Sequence, residues 1–391
     1  MFKIALLLIL HFYKTLSIIL PFFVKNSKKE KNSIYYFSIF FPENAGYHWR
    51  VKKWADLLEQ KRYNVFICQA TNKKEFYGLL AINRTLFLIK YLHRRFWQVI
   101  ASRKYETVIV RRELLFQNDY GNLFLEKLLL KIHPNTILDF DDDIAYAKKE
   151  PRKIDNFYAK VLQENGNKFL ESITMYKRFF VGSNYLKKYV LEKNPSAKIE
   201  VIPTCVDYEK YEAKKYDLDK EEIVFGWVGG NHNLFLLENI IEPLNKIAEK
   251  HKISLLVISG RKYKNEKARF NIVNKQWSLE TEIVDIKRMD IGLMPLLNTP
   301  RDKGKAGFKL IQYMGLGIVS VASAVTVNCD IVDDNKNGFL VFEDDWSGVL
   351  SKVIEQKDEF SGIGKKAMSK IQNNYSFNSN LSQILSLLKK S

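Results

Sequence analysis

Cysteine is scarce in this chain. Three residues, Cys68, Cys205 and Cys329, are spread over 391 positions. Their odd number and wide separation exclude a disulfide framework and any metal-ligand spacing, and they point to a reducing compartment. The six histidines are equally scattered, without a His-x-x-x-His pair. No Ser/His/Asp hydrolase signature accompanies them, so neither zinc chemistry nor a serine nucleophile is indicated. Acidic residues are also short: 44 Asp and Glu face 62 Lys and Arg, a net charge of +18. Such an excess predicts an anionic partner, whether nucleic acid, acidic lipid or a phosphorylated substrate. No nucleic-acid motif is present and the cations gather near apolar stretches, so nucleic acid is ranked last and no nucleic-acid partner is expected. Internal repeats and low-complexity tracts are lacking too. Hydrophobic content of 46% with 27% charged residues is that of a globular protein. The length exceeds one ordinary core and predicts two domains.

The first 24 residues, "MFKIALLLILHFYKTLSIILPFFV", are mostly apolar and run into the basic cluster "KNSKKEK". No small-x-small cleavage site precedes that cluster, so a removed signal peptide is not expected. Lys3, His11, Lys14 and Ser17 fall on one side of a helical wheel, opposite a broad Leu/Ile/Phe face. This pattern suits a helix lying in a membrane interface, and Lys14 in mid-segment would be costly in a lone spanning helix. A monotopic anchor over residues 1–33 is therefore the expectation, with a single-pass anchor as the alternative. A buried core helix is the weaker reading, because nothing before Ile34 resembles a strand. Lys73 to Lys104 interleaves Phe, Leu, Ile and Trp with eight Lys/Arg and one Glu. It reads either as a core helix with a solvated basic face or as a second element docking on anionic lipid.

From Ile34 onward, strand, loop, helix and strand alternate. "SIYYFSIFF", "NVFICQA", "TVIVRR", "TILDFDDD", "RFFVGS" and "KIEVIPT" predict strands of a parallel sheet over residues 34–207. The polar stretch Tyr208 to Glu222 reads as a linker. A second series follows over 208–375: "IVFGWVGG", "ISLLVISG", "DIGLMPL", "IVSVAS" and "NGFLVF". The fold class is thus α/β: two Rossmann-like parallel-sheet domains in series behind an N-terminal hydrophobic helix.

Ligands of such sheets collect at the carboxyl ends of strands. In the second half "GWVGGNHN" ends a strand and opens a helix, so Gly229, Gly230, Asn231 and His232 are candidate phosphate-binding residues, with Asn233 as a further donor. "NTPRDKGKAGFKLIQYM" follows another strand. There Arg301, Lys303, Lys305 and Lys309 surround Gly304 and Gly307, with Gly307 opening a helix. Two helix N-termini with lysines suit a diphosphate. In the first half, "ILDFDDDI" places Asp139, Asp141, Asp142 and Asp143 at a strand end. Three readings compete: a metal-binding Asp-x-Asp, a helix cap, or contacts to a ligand bound at that sheet end. The third is preferred for Asp141 and Asp142, with capping close behind. Arg111 or Arg112 suits a partner for an Asp or for a ligand phosphate. Gly46, Tyr47 and Arg50 in "ENAGYHWR", in the loop after the first strand, are further candidates, Arg50 alternatively capping its helix.

The run "DIGLMPL…RDKGKAGFKLIQYMGLGIVSVAS…VNCDIVDDNKNGFLV" resembles the donor domain of GT-B glycosyltransferases of the large retaining group called glycosyltransferase family 4. "VGSNYLKKYV…KIEVIPTCVD" resembles the end of that family's acceptor domain. The resemblance covers roughly Ile34 onward. It implies a nucleotide diphosphate sugar bound mainly by the second domain, an acceptor bound mainly by the first, and transfer in the cleft with retention of configuration. Gly46, Tyr47, Arg50 and Arg112 are then acceptor-side candidates, and Asp141 and Asp142 are candidate catalytic residues that contact acceptor or donor sugar, beside Lys305 and Lys309. It implies no required cofactor and no divalent metal. It also implies a last helix, 376–391, crossing back to the first domain. The family often carries two glutamates eight residues apart. Those positions are Gly304 and Gln312 here, as in a subgroup with "GK-x-GFK-x-x-QYM". The resemblance then assigns Lys305 and Lys309 to the diphosphate, with Phe308, Gln312 and Asn328 in the donor site. Gln312 is suited to a ribose hydroxyl. Thr326 stands where glycine is common.

The expected activity is transfer of a sugar to a lipid-linked or cell-surface glycan precursor, such as one of polysaccharide, capsule or lipopolysaccharide. The expected place is the cytoplasmic face of an inner membrane with an anionic surface, the protein being monotopic or peripheral. The alternative is a catalytically silent homologue that partners an active enzyme.

Overall fold

A computed structural model describes residues 2–24, 28–78, 84–115, 123–142 and 168–389. The chain divides into two compact units, Met1–Pro203 with Gln383–Ser391, and Thr204–Ser382.

Helices of eight residues or more are labelled below. The first unit contains α1 (Phe2–Ile19), β1 (Glu30–Ser38), α2 (Lys53–Gln60), β2 (Asn64–Gln69), α3 (Arg84–Ala101) and β3 (Tyr105–Arg111). It continues with α4 (Phe124–Ile132), β4 (Thr136–Phe140), α5 (Lys168–Met175), β5 (Arg178–Val181), α6 (Asn184–Lys193) and β6 (Lys198–Val201). All six strands are parallel, in the order β2-β1-β3-β4-β5-β6. Strands β3, β4 and β5 are buried along almost their whole length. That is why they read as unbroken apolar runs: helices cover both faces of a parallel sheet. Edge strand β2 alternates instead, with only Cys68 buried.

The second unit contains β7 (Ile223–Val228), α7 (Glu238–Ala248), β8 (Ile253–Ser259), β9 (Asn271–Gln276), β10 (Ile291–Met294) and α8 (Phe308–Gly315). After these come β11 (Val319–Ser323), β12 (Phe339–Val341), α9 (Trp346–Glu355) and α10 (Phe360–Asn374); the last helix, α11 (Phe377–Lys389), begins in the second unit and belongs to the first from Gln383 onward. The parallel order is β12-β11-β10-β7-β8-β9. Counted along the chain, that is the 3-2-1-4-5-6 order of dinucleotide-binding sheets. Alternate residues of β7 feed opposite cores. Phe225 and Trp227 join Leu237, Leu244 and Leu350, whereas Val228 joins Leu310, Met314 and Ile371. The strand order reverses between β7 and β10 in this sheet, and between β1 and β3 in the first. Crevices outside the carboxyl ends of such strand pairs are where parallel sheets take ligands.

Several elements depart from the sequence expectation. Strand β1 starts at Glu30 rather than near Ile34, with three exposed residues before its buried run. The loop after β1 is shorter than expected, because Ala45–Tyr47 and a wide turn over His48–Lys52 lead directly into α2. Strand β9 went unread because its half-polar "NIVNKQ" is an edge. Helix α1 is not set apart from the first domain: it packs on α3 and α4, and Leu10 and Tyr13 sit in the first unit's core. Among the described residues, no helix is long and apolar enough to cross a membrane.

His133, which ends α4, is buried, and its Nε2 donates to the Tyr105 carbonyl at 2.7 Å. Burial, with nearby Lys29, lowers its pKa from 6.5 to about 4. The folded state therefore binds this proton less readily than the unfolded chain. Its contribution is fully present above the unfolded value and is lost as pH falls from about 6.5 towards 4, on the order of 3 kcal/mol in all. The melting temperature of the wild type should drop between pH 7 and 5 more steeply than that of His133→Gln, which keeps a donor there. Parallel pH profiles would refute the assignment.

Candidate functional site

In the second unit the predicted residues gather at the β7/β10 reversal. Gly229 N–H donates to Ile258 O at 3.0 Å, extending the sheet ladder one residue past β7. A Cβ at Gly229 would stand 2.8 Å from Lys309 Cε and 2.5 Å from Trp227 Cη2. Only glycine lets the lysine stem lie across the strand end. The Lys309 ammonium lies 5.3 Å from the Trp227 ring centroid, a cation–π distance. Gly307, with φ of +67°, is the N-cap of α8, and Lys309 is the helix's second residue. The first N–H groups of a helix have no intrahelical partner and carry its positive dipole end. Helix α8 is tied to β7 by Val228 N–H, which donates to the Tyr313 hydroxyl at 2.9 Å.

A second contact joins the same two loops. Arg301 Nη2 donates to Asn233 Oδ1 at 3.3 Å, and its guanidinium covers the Phe235 ring at 5.3 Å. Arg301 lies on the short turn Pro300–Lys303, capped by the Thr299 side chain. Asp302 on this turn is buried and accepts from Leu297 N–H at 3.0 Å. Gly230 leads into the turn Asn231–Leu237 and lies against the His232 ring. Asn231 Oδ1 accepts from Ser259 Oγ at 3.2 Å, at the end of β8. Lys305 is half-buried and makes no ion pair among the described residues. The cluster thus unites Gly229, Gly230, Asn231, His232, Arg301, Gly307 and Lys309 around two converging loops.

Three predicted donor-site residues are placed differently. Gln312 is buried on the inner side of α8, beside Tyr211. Asn328 is also buried, and its Nδ2 donates to Ser323 O at 2.9 Å, an interior tie rather than an open ligand contact. Phe308 is half-buried against the core beneath α8. Thr326, with φ of 34°, donates from Oγ1 to Lys303 O at 2.9 Å, holding the cationic turn from below. The role of Trp227 was missed: "GWVGG" was read for its glycines, although an aromatic two residues before them was the available signal.

In the first unit, arginines and aspartates interleave at the carboxyl end of the sheet. Arg50 is buried, donating to Asp139 Oδ1 from Nε at 3.0 Å and Nη2 at 2.8 Å, and from Nη1 to Pro203 O at 2.9 Å. The Tyr36 hydroxyl donates to Asp139 Oδ2 at 3.0 Å. Arg111 pairs with Asp141, and Arg112 Nη2 with Asp142 Oδ2 at 3.0 Å. Burial pushes the Asp141 carboxyl up, but Arg111, Arg50 and Arg112 outweigh it and hold it well below the usual range. Asp141 is therefore an ionised, spent carboxylate rather than one poised for proton transfer, and Arg50 is an interior clamp rather than an acceptor contact. Tyr47 is buried and its hydroxyl accepts from Gln69 Nε2 at 3.2 Å; Gly46 N–H donates to Asn44 Oδ1 at 2.9 Å. Arg112 and Asp142 form the outermost, half-exposed pair. Asp143 lies outside the described residues. Among the described residues no three His, Cys, Asp or Glu side chains are grouped to hold a metal ion.

Removing one partner of a buried ion pair strands the other, at a cost of about 3–5 kcal/mol. Arg50→Met should lower the melting temperature sharply, and adding Asp139→Leu should recover part of the loss. A single variant that melts with the wild type would show that Arg50 clamps nothing.

No protein-family model matches this chain, and no curated protein matches it by sequence. Solved structures do match it. Sucrose-phosphate synthase from Thermosynechococcus elongatus superposes with a TM-score of 0.65 at 12% identity, over 92% of this chain and 98% of that one. A glycosyltransferase from Rickettsia africae gives 0.63 at 14%, over 93% and 98%. Anabaena HepE in complex with UDP and glucose gives 0.61 at 13%, over 92% and 99%. The chain has the two-domain α/β architecture of GT-B glycosyltransferases.

Proposed function

We propose that this chain is a retaining glycosyltransferase that takes its sugar from a nucleotide diphosphate sugar. The observation that carries the reading is the placement of Lys309, the second residue of α8, with its stem across Gly229 and its ammonium over the Trp227 ring. Fixed cations and backbone N–H groups at one point suit a pyrophosphate. They stabilise it most when negative charge grows on it as a leaving group. Arg301 and Lys305, on the neighbouring loop, add charge to the same end of the sheet. The UDP and UDP-glucose in the HepE structures support a nucleotide sugar as donor. Retention of configuration and independence of a divalent metal follow from the resemblance to glycosyltransferase family 4, and no cofactor enters the reading. The acceptor is a lipid-linked or cell-surface glycan precursor presented at the cytoplasmic face of an anionic membrane, which fits the net charge of +18. Its binding falls to the first unit, where Arg112 and Asp142 are the accessible members of the charged ladder.

A second reading has one specific observation behind it. Gly304 and buried Gln312 stand where related enzymes often carry glutamates, which suits a catalytically silent homologue that binds donor and partners an active transferase. Sugar transfer from a radiolabelled donor panel to membrane lipid extract separates the two. Donor binding without turnover favours the silent form.

A hydrogen bond from a charged group contributes about 1.5–3 kcal/mol, or roughly 10- to 100-fold in affinity. Lys309→Ala should weaken UDP-sugar binding by about that factor in isothermal titration, and Lys305→Ala should weaken it as well, both with wild-type melting. Unchanged affinity in both variants would sink the pyrophosphate site.

A further inference from the structure

Helix α1 has two apolar faces. Its inner face, with Leu10 and Tyr13, is consumed by the first unit's core. Its outer face carries Ile4, Leu7, Leu8, Phe12, Ile18 and Ile19, all exposed. The short turn Pro21–Val24 extends this face with Phe22 and Phe23, which are 85% and 81% exposed. A run of this size in contact with water marks a docking surface.

The patch does not end with α1. The Tyr13 hydroxyl meets His93 Nδ1, and the Tyr13 ring packs on Phe96 at 4.7 Å, both on α3. The His93 ring in turn touches Trp97 at 6.4 Å, and Trp97 is exposed. His93 and Trp97 line an open hollow of about 540 Å³ with Lys90, Arg94 and Gln98. Arg94 is neutralised by Glu75 at 2.7 Å, which leaves Lys90 as the cation offered there. Exposed Lys28 and Lys31 follow the apolar turn in the chain.

We infer that α1, the Phe22–Phe23 turn and the Trp97 side of α3 form one surface that inserts into the interface of an anionic bilayer. The occupant follows from the chemistry. Aliphatic and phenylalanine side chains suit the acyl boundary, an exposed tryptophan suits the headgroup level, and lysines suit anionic headgroups. One flank of α1 is packed on α3 and α4, so only its outer flank is open to lipid and the helix would lie along the membrane surface. The inference deepens the membrane half of the reading above and rests on it, but it is independent of the donor site.

The test is co-sedimentation of the full chain with vesicles of 70:30 phosphatidylcholine:phosphatidylglycerol and of phosphatidylcholine alone, alongside UDP-glucose titration. The wild type should pellet with the anionic vesicles and less with the neutral ones. The double variant Leu8→Glu/Phe12→Glu should lose at least tenfold in vesicle affinity while melting and binding UDP-glucose like the wild type. Lys90→Glu should weaken only the anionic-vesicle binding. On binding, the blue shift of tryptophan emission should shrink in Trp97→Phe. Wild-type vesicle binding by the double variant overturns the inference. So does a wild type that self-associates through this face and ignores vesicles, since a second copy would then be the occupant. Vesicle binding without UDP-glucose binding would leave this surface standing and count against the donor reading instead.

Discussion

The candidate site of the second unit depends on one contact, that of Lys309 with the end of β7. It needs three conditions at once. The residue that follows β7 must have no side chain, which Gly229 supplies. The helix must start at a sharp left-handed turn, which Gly307 supplies with φ of +67°. The ring beneath must be fixed, and Trp227 is fully buried. An ammonium held over an indole face keeps its charge partly unscreened and its stem ordered. Less ordering is then left for the moment an anion arrives, which is the physical content of preorganisation. The Arg301–Asn233 contact does the same for the adjoining loop, so two segments separated by some seventy residues present one cationic edge.

The two sheets follow the same rule about where ligands collect, but they handle charge in opposite ways. At the end of the first sheet each arginine is matched by an aspartate, from fully buried Arg50 and Asp139 out to half-exposed Arg112 and Asp142. Buried charges paired in this way fix geometry more than they offer reactivity. Arg50 ties the segment after β1 to β4 and to the carbonyls of Ile202 and Pro203, so it sets the position of the loop that carries Gly46 and Tyr47. At the end of the second sheet Lys305 has no carboxylate among the described residues. Lys305 thus stands on the side suited to an anion, and the matched pairs of the first sheet are a frame.

The β-strands were legible wherever both faces are buried, because a buried parallel strand leaves an unbroken apolar run, as "ISLLVIS" does for β8. Edge strand β9 was not legible, since one half-exposed face removes that signal. Site residues whose role is set by backbone, Gly229 and Gly307, could be found from type and position alone. Arg50, Gln312 and Asn328 could not. Their types are polar, their surroundings are interior, and what encloses them comes from residues far away in the chain, such as Ile202 for Arg50 and Tyr211 for Gln312. Polarity in a loop or a helix start signals a ligand and an interior clamp equally well.

Helix α1 shows the same ambiguity from the apolar side. A helical wheel separates one polar stripe from one apolar face, and a single apolar face can be spent only once. In α1 the apolar arc is wide enough to be divided. Tyr13 and Leu10 secure the helix to α3 and α4, while Leu8 and Phe12, on the other flank, stay in water. Ser17, part of the polar stripe on the wheel, is buried and satisfies itself by donating to Lys14 O at 2.6 Å. The division has a mechanical consequence. An amphipathic helix on a flexible tether would hold a protein near a bilayer without orienting it. A helix welded to α3 and α4 along one flank transmits its own orientation to the domain those helices belong to, so the carboxyl end of that domain's sheet would keep a fixed height and angle above the lipid.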